Sequence, residues 1–214
     1  MTGGVFVRIA PRDSEAGEGR FEFRAWPRRQ SRAATRLQGQ WALESGESRA
    51  DIYLATPFSP ETLVKLRDGA LLEVKHRGPD LGVLQFWTCP VSTPFPLSRR
   101  TLAVVARALG LAGGLQPEAG LSPAHLLVDL AASAPQVMPV TVRKARLVFR
   151  SGSCRAELCR ATVRGRSRLT LALDDPDPAS ALCAVASLGL GGLPNRSYGD
   201  MLRPRRLMQA GGEA

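Results

Sequence analysis

The sequence predicts an α+β fold made mainly of antiparallel strands, and three observations carry that prediction. Apolar and polar residues alternate at period two in one block near the N-terminus and in another beginning at Pro139. The links between successive strand-like segments are short, which favours antiparallel neighbours. Between the blocks lie segments bounded by helix-start and helix-stop residues. The predicted order is strands, a helical middle, strands and a C-terminal helix.

In the first block, residues 20–26 (RFEFRAW) set Arg20, Glu22 and Arg24 on one face and Phe21 and Phe23 on the other. Residues 38–45 (QGQWALES) form a weaker strand candidate, and 51–56 (DIYLAT) a strand that stops at Pro57. In 64–77 (VKLRDGALLEVKHR), Val64, Leu66, Leu72 and Val74 alternate with Lys65, Glu73, Lys75 and Arg77. A two-residue Asp68-Gly69 loop would pair odd with even positions and mix the two faces. A three-residue loop, Arg67-Asp68-Gly69, keeps them apart and puts Gly69 where a bulged type I turn needs positive φ. Residues 82–88 (GVLQFWT) extend the sheet, and Pro90, Pro94 and Pro96 mark a loop.

Ser98 caps a helix over about 99–109, which Gly110 ends. After the glycine-rich link GLAGGLQPEAG, Ser122 as N-cap and Pro123 at the first helical position open a helix reaching about residue 133. In the second block, VTVRKARLVF places Lys144 and Arg146 on one face, opposed by Ala145, Leu147 and Phe149. RAELCRATV and RLTLALDD follow, separated by Arg-Gly-Arg. Asp177 and Pro178 start a helix to about Leu188, ended by GLGGLP.

Composition narrows the function classes. No apolar run reaches the length of a membrane span. The opening MTGGVFVRIAPRDSEAGEG lacks the basic, apolar, small-residue order of a signal peptide, so a cytoplasmic chain is expected. The cysteines (89, 154, 159 and 183) form no CxxC pair, and His76 and His125 are the only histidines, so no zinc site is expected. The net charge of +10 points to an anionic partner. Of 29 basic residues only Lys65, Lys75 and Lys144 are lysine, and all three fall in alternating segments.

The strand patterns gather Arg20, Glu22, Arg24, Lys65, Arg67, Glu73, Lys75, Arg77, Lys144, Arg146, Arg155 and Glu157 on polar faces opposite apolar ones. Two architectures satisfy that pattern. A sandwich would turn its apolar faces together and leave the charges in water. A barrel covered by helices would turn the charges inward. Two like charges about 4 Å apart repel by roughly 4 kcal/mol at an effective dielectric near 20, so an enclosed cationic lining favours a polyanion.

The segments DIYLATP, LVKLRDGALLEVKHR, VRKAR, AELCRATV and LPNRSYGDMLR resemble, in that order, the CYTH or triphosphate tunnel metalloenzyme family. The resemblance covers about residues 20–203 and includes the terminal Ser197-Tyr198 pair. It implies an eight-stranded antiparallel β-barrel, or tunnel, with helices packed outside. It also implies one CYTH-like domain over 20–203 with a helical insertion at about 98–133. Residues 1–19 are then a first strand or a flexible segment, and 204–214 a disordered tail. In the family, Arg and Lys in the tunnel bind a triphosphate while glutamates hold a divalent metal. Members include thiamine and inorganic triphosphatases, class IV adenylyl cyclases and polyphosphate polymerases.

Carried onto this sequence, the resemblance assigns Arg20, Arg24, Lys65, Arg67, Lys75, Arg77, Lys144 and Arg146 to phosphate. Glu22, Glu157 and Asp174 are left to hold one Mg²⁺ or Mn²⁺, with Glu73 the other remaining acid. Several family acids are missing. The E-x-E-x-K strand stands as Arg20-Phe21-Glu22-Phe23-Arg24, Thr170 and Ala172 replace a later carboxylate pair, and D-T-P is Ala55-Thr56-Pro57. The expectation is a cradle for a phosphate-rich small anion (a triphosphate, polyphosphate or nucleotide) with a damaged metal cage. An active Mg- or Mn-dependent triphosphatase is the first alternative. A basic nucleic-acid or protein-interaction module is the second, disfavoured because Phe21 and Phe23 lie opposite the basic positions and cannot stack on bases there.

Overall fold

The computed structural model describes residues 19–27, 31–57 and 61–203. The strands are β1 (Arg20–Ala25), β2 (Ala42–Ala55), β3 (Thr62–Arg67), β4 (Leu71–Arg77), β5 (Gln85–Pro94), β6 (Met138–Ser151), β7 (Cys154–Val163) and β8 (Arg166–Asp175). The helices are α1 (Arg32–Gln40), α2 (Arg99–Ala108), α3 (Pro123–Ser133), α4 (Pro178–Leu188) and α5 (Tyr198–Leu202). The strands close into one antiparallel barrel in the order β1-β5-β4-β3-β2-β6-β7-β8, with β8 pairing back onto β1. Closure removes the two free sheet edges and decides between sandwich and barrel. No helix among the described residues is long and apolar enough to cross a membrane.

The barrel is apolar outside and charged inside. On β6, Lys144 and Arg146 are buried in the bore while Leu147 and Phe149 face outward. Phe23, Phe149, Leu171 and Leu173 pack under α1 and α4, and Leu54, Val64, Leu66, Leu72 and Val74 under α2 and α3. Each such side chain contributes about 1.5–3 kcal/mol of burial, so the helical coats drive the apolar faces outward. The caps form as the sequence predicts. Ser98, Ser122 and Asp177 accept backbone N–H groups of α2, α3 and α4, and Gly189 ends α4 at φ 71°.

Three local readings are corrected. Residues 38–40 close α1, whose buried Ala33, Ala34 and Leu37 follow helical spacing, and β2 begins only at Ala42. Pro90 and Pro94 lie within β5 instead of a loop. The β3–β4 loop is Asp68-Gly69-Ala70, one residue later than predicted, because Arg67 pairs with Leu71. Odd still pairs with odd, so the two faces stay separate. Asp68 shares the left-handed conformation with Gly69 (φ 50° and 64°), which an aspartate tolerates better than most residues. The expectations for the N-terminal segment before Gly19 and for the tail 204–214 lie outside the described residues.

Candidate functional site

Cross-strand partners face the same side of a sheet, so register reveals what else lines the bore. Lys144 pairs with Arg49 and Arg146 with Glu47, which puts Glu47, Arg49, Asp51 and Tyr53 of β2 inside. Lys65 pairs with Glu73, and Glu22 with Asp174. The interior holds a cavity of about 120 Å³ bordered by Arg24, Arg49, Lys65, Lys75, Lys144 and Arg146 among others.

The bore is threaded by ion pairs. Asp51, fully buried, meets Lys144 at 2.6 Å, Arg49 at 3.1 Å and Lys65 at 3.9 Å. Glu73 joins Lys65 (2.7 Å) to Arg67 (3.0 Å). Glu157 joins Arg24 (3.0 Å) to Arg146 (3.1 Å), and Glu47 joins Arg49 (2.8 Å) to Arg146 (3.3 Å). Asp174 holds Arg20 (2.5 Å) and Arg155 (3.3 Å), and Glu22 holds Lys75 (2.5 Å). Among the described residues this network joins nine cations to six carboxylates, an excess of three positive charges when Lys144 is protonated. Two of the cations keep donor capacity in reserve. Arg49 Nε and Arg146 Nε are buried, lie within ion-pair distance of Asp51 and Glu47, and yet donate no hydrogen bond among the described residues.

One end of the bore is filled. Tyr198, the first residue of α5, stacks on Tyr53 with ring centroids 5.1 Å apart and meets Trp26 edge-on, and Val142, Cys159 and Ala161 complete an apolar plug. Ser197 and Asp200 form a reciprocal capping box that fixes α5, so the terminal Ser-Tyr pair acts by closing the barrel end. Arg24 and Lys144 lie over the Tyr198 ring, 4.6 and 4.2 Å from its centroid. Arg24 also donates to Thr170 at 2.6 Å, so a hydroxyl stands where the family pattern has a carboxylate.

Burial alone would raise the Glu73 carboxyl, but Lys65 and Arg67 outweigh it and hold it at about 2. Asp51 is lowered in the same way, against burial, by Lys65, Lys144 and Arg49. Glu157 is lowered by Arg24 and Arg146. Lys144 moves the other way from an ordinary paired lysine. Burial and the neighbouring Lys65 push it down to about 7, because Asp51 is shared among three cations and compensates only in part. Depressed carboxyl groups stabilise the fold fully above their unfolded values, and that stability is lost as pH falls towards the folded ones. Glu73 alone accounts for about 3 kcal/mol. Unfolding free energy measured in urea is therefore expected to drop steeply between about pH 4.5 and 2, with a shallower drop in Glu73→Gln.

Seven of the eight predicted phosphate contacts belong to this network. Arg77 does not. It pairs with Asp80 beside Glu61 and Asp200 in a groove at the end of β4, although its register partner Trp87 borders the bore. Sequence reasoning missed Glu47, Arg49 and Asp51. Stepping back by two from Tyr53 would have found them.

No family model matches the chain, and no curated protein does. Solved structures do. A Pyrococcus horikoshii protein matches at TM-score 0.47 and 12% identity, over 86% of this chain and 97% of that one. A provisionally assigned adenylate cyclase from Bacillus halodurans matches at 0.45 and 11%, over 83% and 93%. An RNA triphosphatase from S. pombe matches at 0.29 and 13%, over 69% and 51%. All three scores lie below 0.5, so the fold assignment rests on the closed strand circuit. An eight-stranded antiparallel barrel with a charged bore is the architecture that the resemblance to the triphosphate tunnel family implies.

The carboxylates named for Mg²⁺ or Mn²⁺ do not fit such an ion. Glu22, Glu157 and Asp174 each face an ammonium or guanidinium at 2.5–3.3 Å. Among the described residues no three His, Cys, Asp or Glu side chains converge as a metal site. An ion would have to displace cations from its own ligands, and Arg20 stands beside Asp174 where the family pattern has an acid.

Proposed function

We propose that the bore binds a phosphate-rich small anion (a triphosphate, a short polyphosphate or the phosphate tail of a nucleotide) and does so without a divalent metal. The observation that carries this reading is the excess of cations around the central cavity, with buried Arg49 and Arg146 Nε–H groups that donate no hydrogen bond. The resident carboxylates keep the empty bore from flying apart electrostatically, and an oxyanion chain supplies the missing charge and the missing acceptors together. Arginine forks and lysine ammonium groups both suit phosphate oxygens, the first bidentately and the second as point charges.

Tripolyphosphate at about 100 times its Kd, with EDTA present, is expected to raise the melting temperature by roughly 5–10 °C. Lys144→Ala is expected to shrink that rise. Bound phosphate favours the charged form of Lys144, so affinity is expected to fall as pH rises above about 7. Absence of any thermal shift at low salt would defeat the proposal. So would phosphate release from triphosphates that requires Mg²⁺ or Mn²⁺ and disappears in Glu22→Gln, since the bore would then be a metal-dependent hydrolase.

A further inference from the structure

The second concentration of positive charge lies outside the bore, on the β7–β8 hairpin. Arg160, Arg164, Arg166 and Arg168 are exposed there, with Arg143 of β6 on the adjoining outer surface. None of the five is paired with a carboxylate among the described residues, unlike the cations of the bore. The cause is in the sequence: no acidic residue occurs from Leu158 to Leu173, in α1 or in β6.

The hairpin is also built to project. β1 pairs with β8 only from Leu171 onward, so the half of β8 nearer the turn runs past its β1 neighbour. Val163 pairs with Arg166 across a two-residue Arg164-Gly165 turn with φ 48° and 76°. Such a turn favours Asn-Gly or Gly-Gly, and an arginine pays a steric penalty in the left-handed region. A local rule broken at an exposed tip, in favour of a charge with no protein partner, points to a partner outside the chain. Beside the tip, Arg160, Ser167 and Arg168 border a groove of about 360 Å³ with Leu158, Leu169 and Ala34, and the Thr162 and Ser167 hydroxyls meet across the strands at 2.7 Å.

We propose that this hairpin docks on the phosphate backbone of a nucleic-acid duplex without sequence preference, independently of the bore. Arg143 and Arg160 share one face of the ribbon with the Thr162 and Ser167 hydroxyls, Arg166 and Arg168 lie on the opposite face and Arg164 at the tip, so both sides of the ribbon offer guanidinium groups to phosphates. A two-stranded ribbon is narrow enough for a major groove. The segment from Leu158 to Leu173 has no aromatic residue, so stacking on single-stranded bases is absent. The tip Arg164-Gly165-Arg166 offers no apolar side chain to a bilayer.

The test is fluorescence anisotropy of the full chain with a mixed-sequence duplex of about 20 base pairs, across a salt series. Each phosphate contact adds about −0.9 to the slope of log K against log salt, so five arginines set a slope of at most roughly −4.5. Arg164→Ser, Arg166→Ser and Arg168→Ser combined are expected to flatten it by about 2–3 and to weaken low-salt binding more than tenfold, while the melting temperature holds and the corresponding lysine variants keep binding. The proposal is overturned if duplex does not bind at low salt, if the serine variants bind as well as the parent, or if phosphatidylserine vesicles bind and duplex does not. It is also overturned if Arg49→Met abolishes duplex binding or tripolyphosphate displaces the duplex, because the nucleic acid would then occupy the bore. A chain that binds duplex through the hairpin but ignores tripolyphosphate would lose the bore reading and keep this one.

Discussion

Asp51→Asn is expected to lower the unfolding free energy by about 3–5 kcal/mol, the usual consequence of removing one partner from a buried ion pair. Asp51 is fully buried and is the shared counter-charge of Lys144, Arg49 and Lys65. Asparagine keeps the shape and removes the charge, so three cations face one another in a low-dielectric interior. For a chain of this length the melting temperature is expected to fall by roughly 10 °C. Two further results separate this cause from a packing defect. Lys144→Met in the Asp51→Asn background is expected to restore part of the stability, with a coupling of about 0.5–3 kcal/mol. Tripolyphosphate is expected to stabilise the asparagine variant more than the parent, because the anion replaces the lost carboxylate. Unchanged stability in Asp51→Asn would mean that the cations do not converge as described.

Arg49→Met is expected to do the reverse, sparing the fold and damaging binding. Asp51 keeps Lys144 and Lys65, and Glu47 keeps Arg146, so no carboxylate is left alone. Methionine preserves the aliphatic stem. What disappears is a buried guanidinium whose Nε–H donates no hydrogen bond. Charge-assisted hydrogen bonds are worth about 1.5–3 kcal/mol, so tripolyphosphate affinity measured by calorimetry is expected to fall about 10–150-fold. A smaller loss of stability than in Asp51→Asn, with a large loss of affinity, marks Arg49 as a ligand-facing group. Equal affinity in the variant would remove Arg49 from the proposed site.

The hairpins, caps and inward cations were legible because each rests on local spacing. Lys65, Lys75, Lys144 and Arg146 alternate with aliphatics, and Ser98, Ser122 and Asp177 sit just before helical periodicity. β2 was half hidden for the opposite reason. Its first stretch, LESGESRA, has no apolar alternation, since its outward face is largely exposed and its inward face is ionic. Glu47, Arg49 and Asp51 therefore look like a solvated loop until the register with β6 places them opposite Arg146, Lys144 and Val142. Arg77 differs in another way. It continues the alternation of β4 and pairs with Trp87, but at the end of the strand its guanidinium is taken by Asp80, three residues along the chain.

By itself the sequence determined which residues share a face, because a strand's period of two assigns every side chain to one of two sides. It also determined the helix ends, because capping is a contact between near neighbours. Only the tertiary structure decided which side was the inside, since a charged face costs little in water and a great deal in an enclosed bore. It alone supplied the counter-ions, because a carboxylate such as Asp51 becomes the partner of Lys144 only when strands distant along the chain are brought side by side.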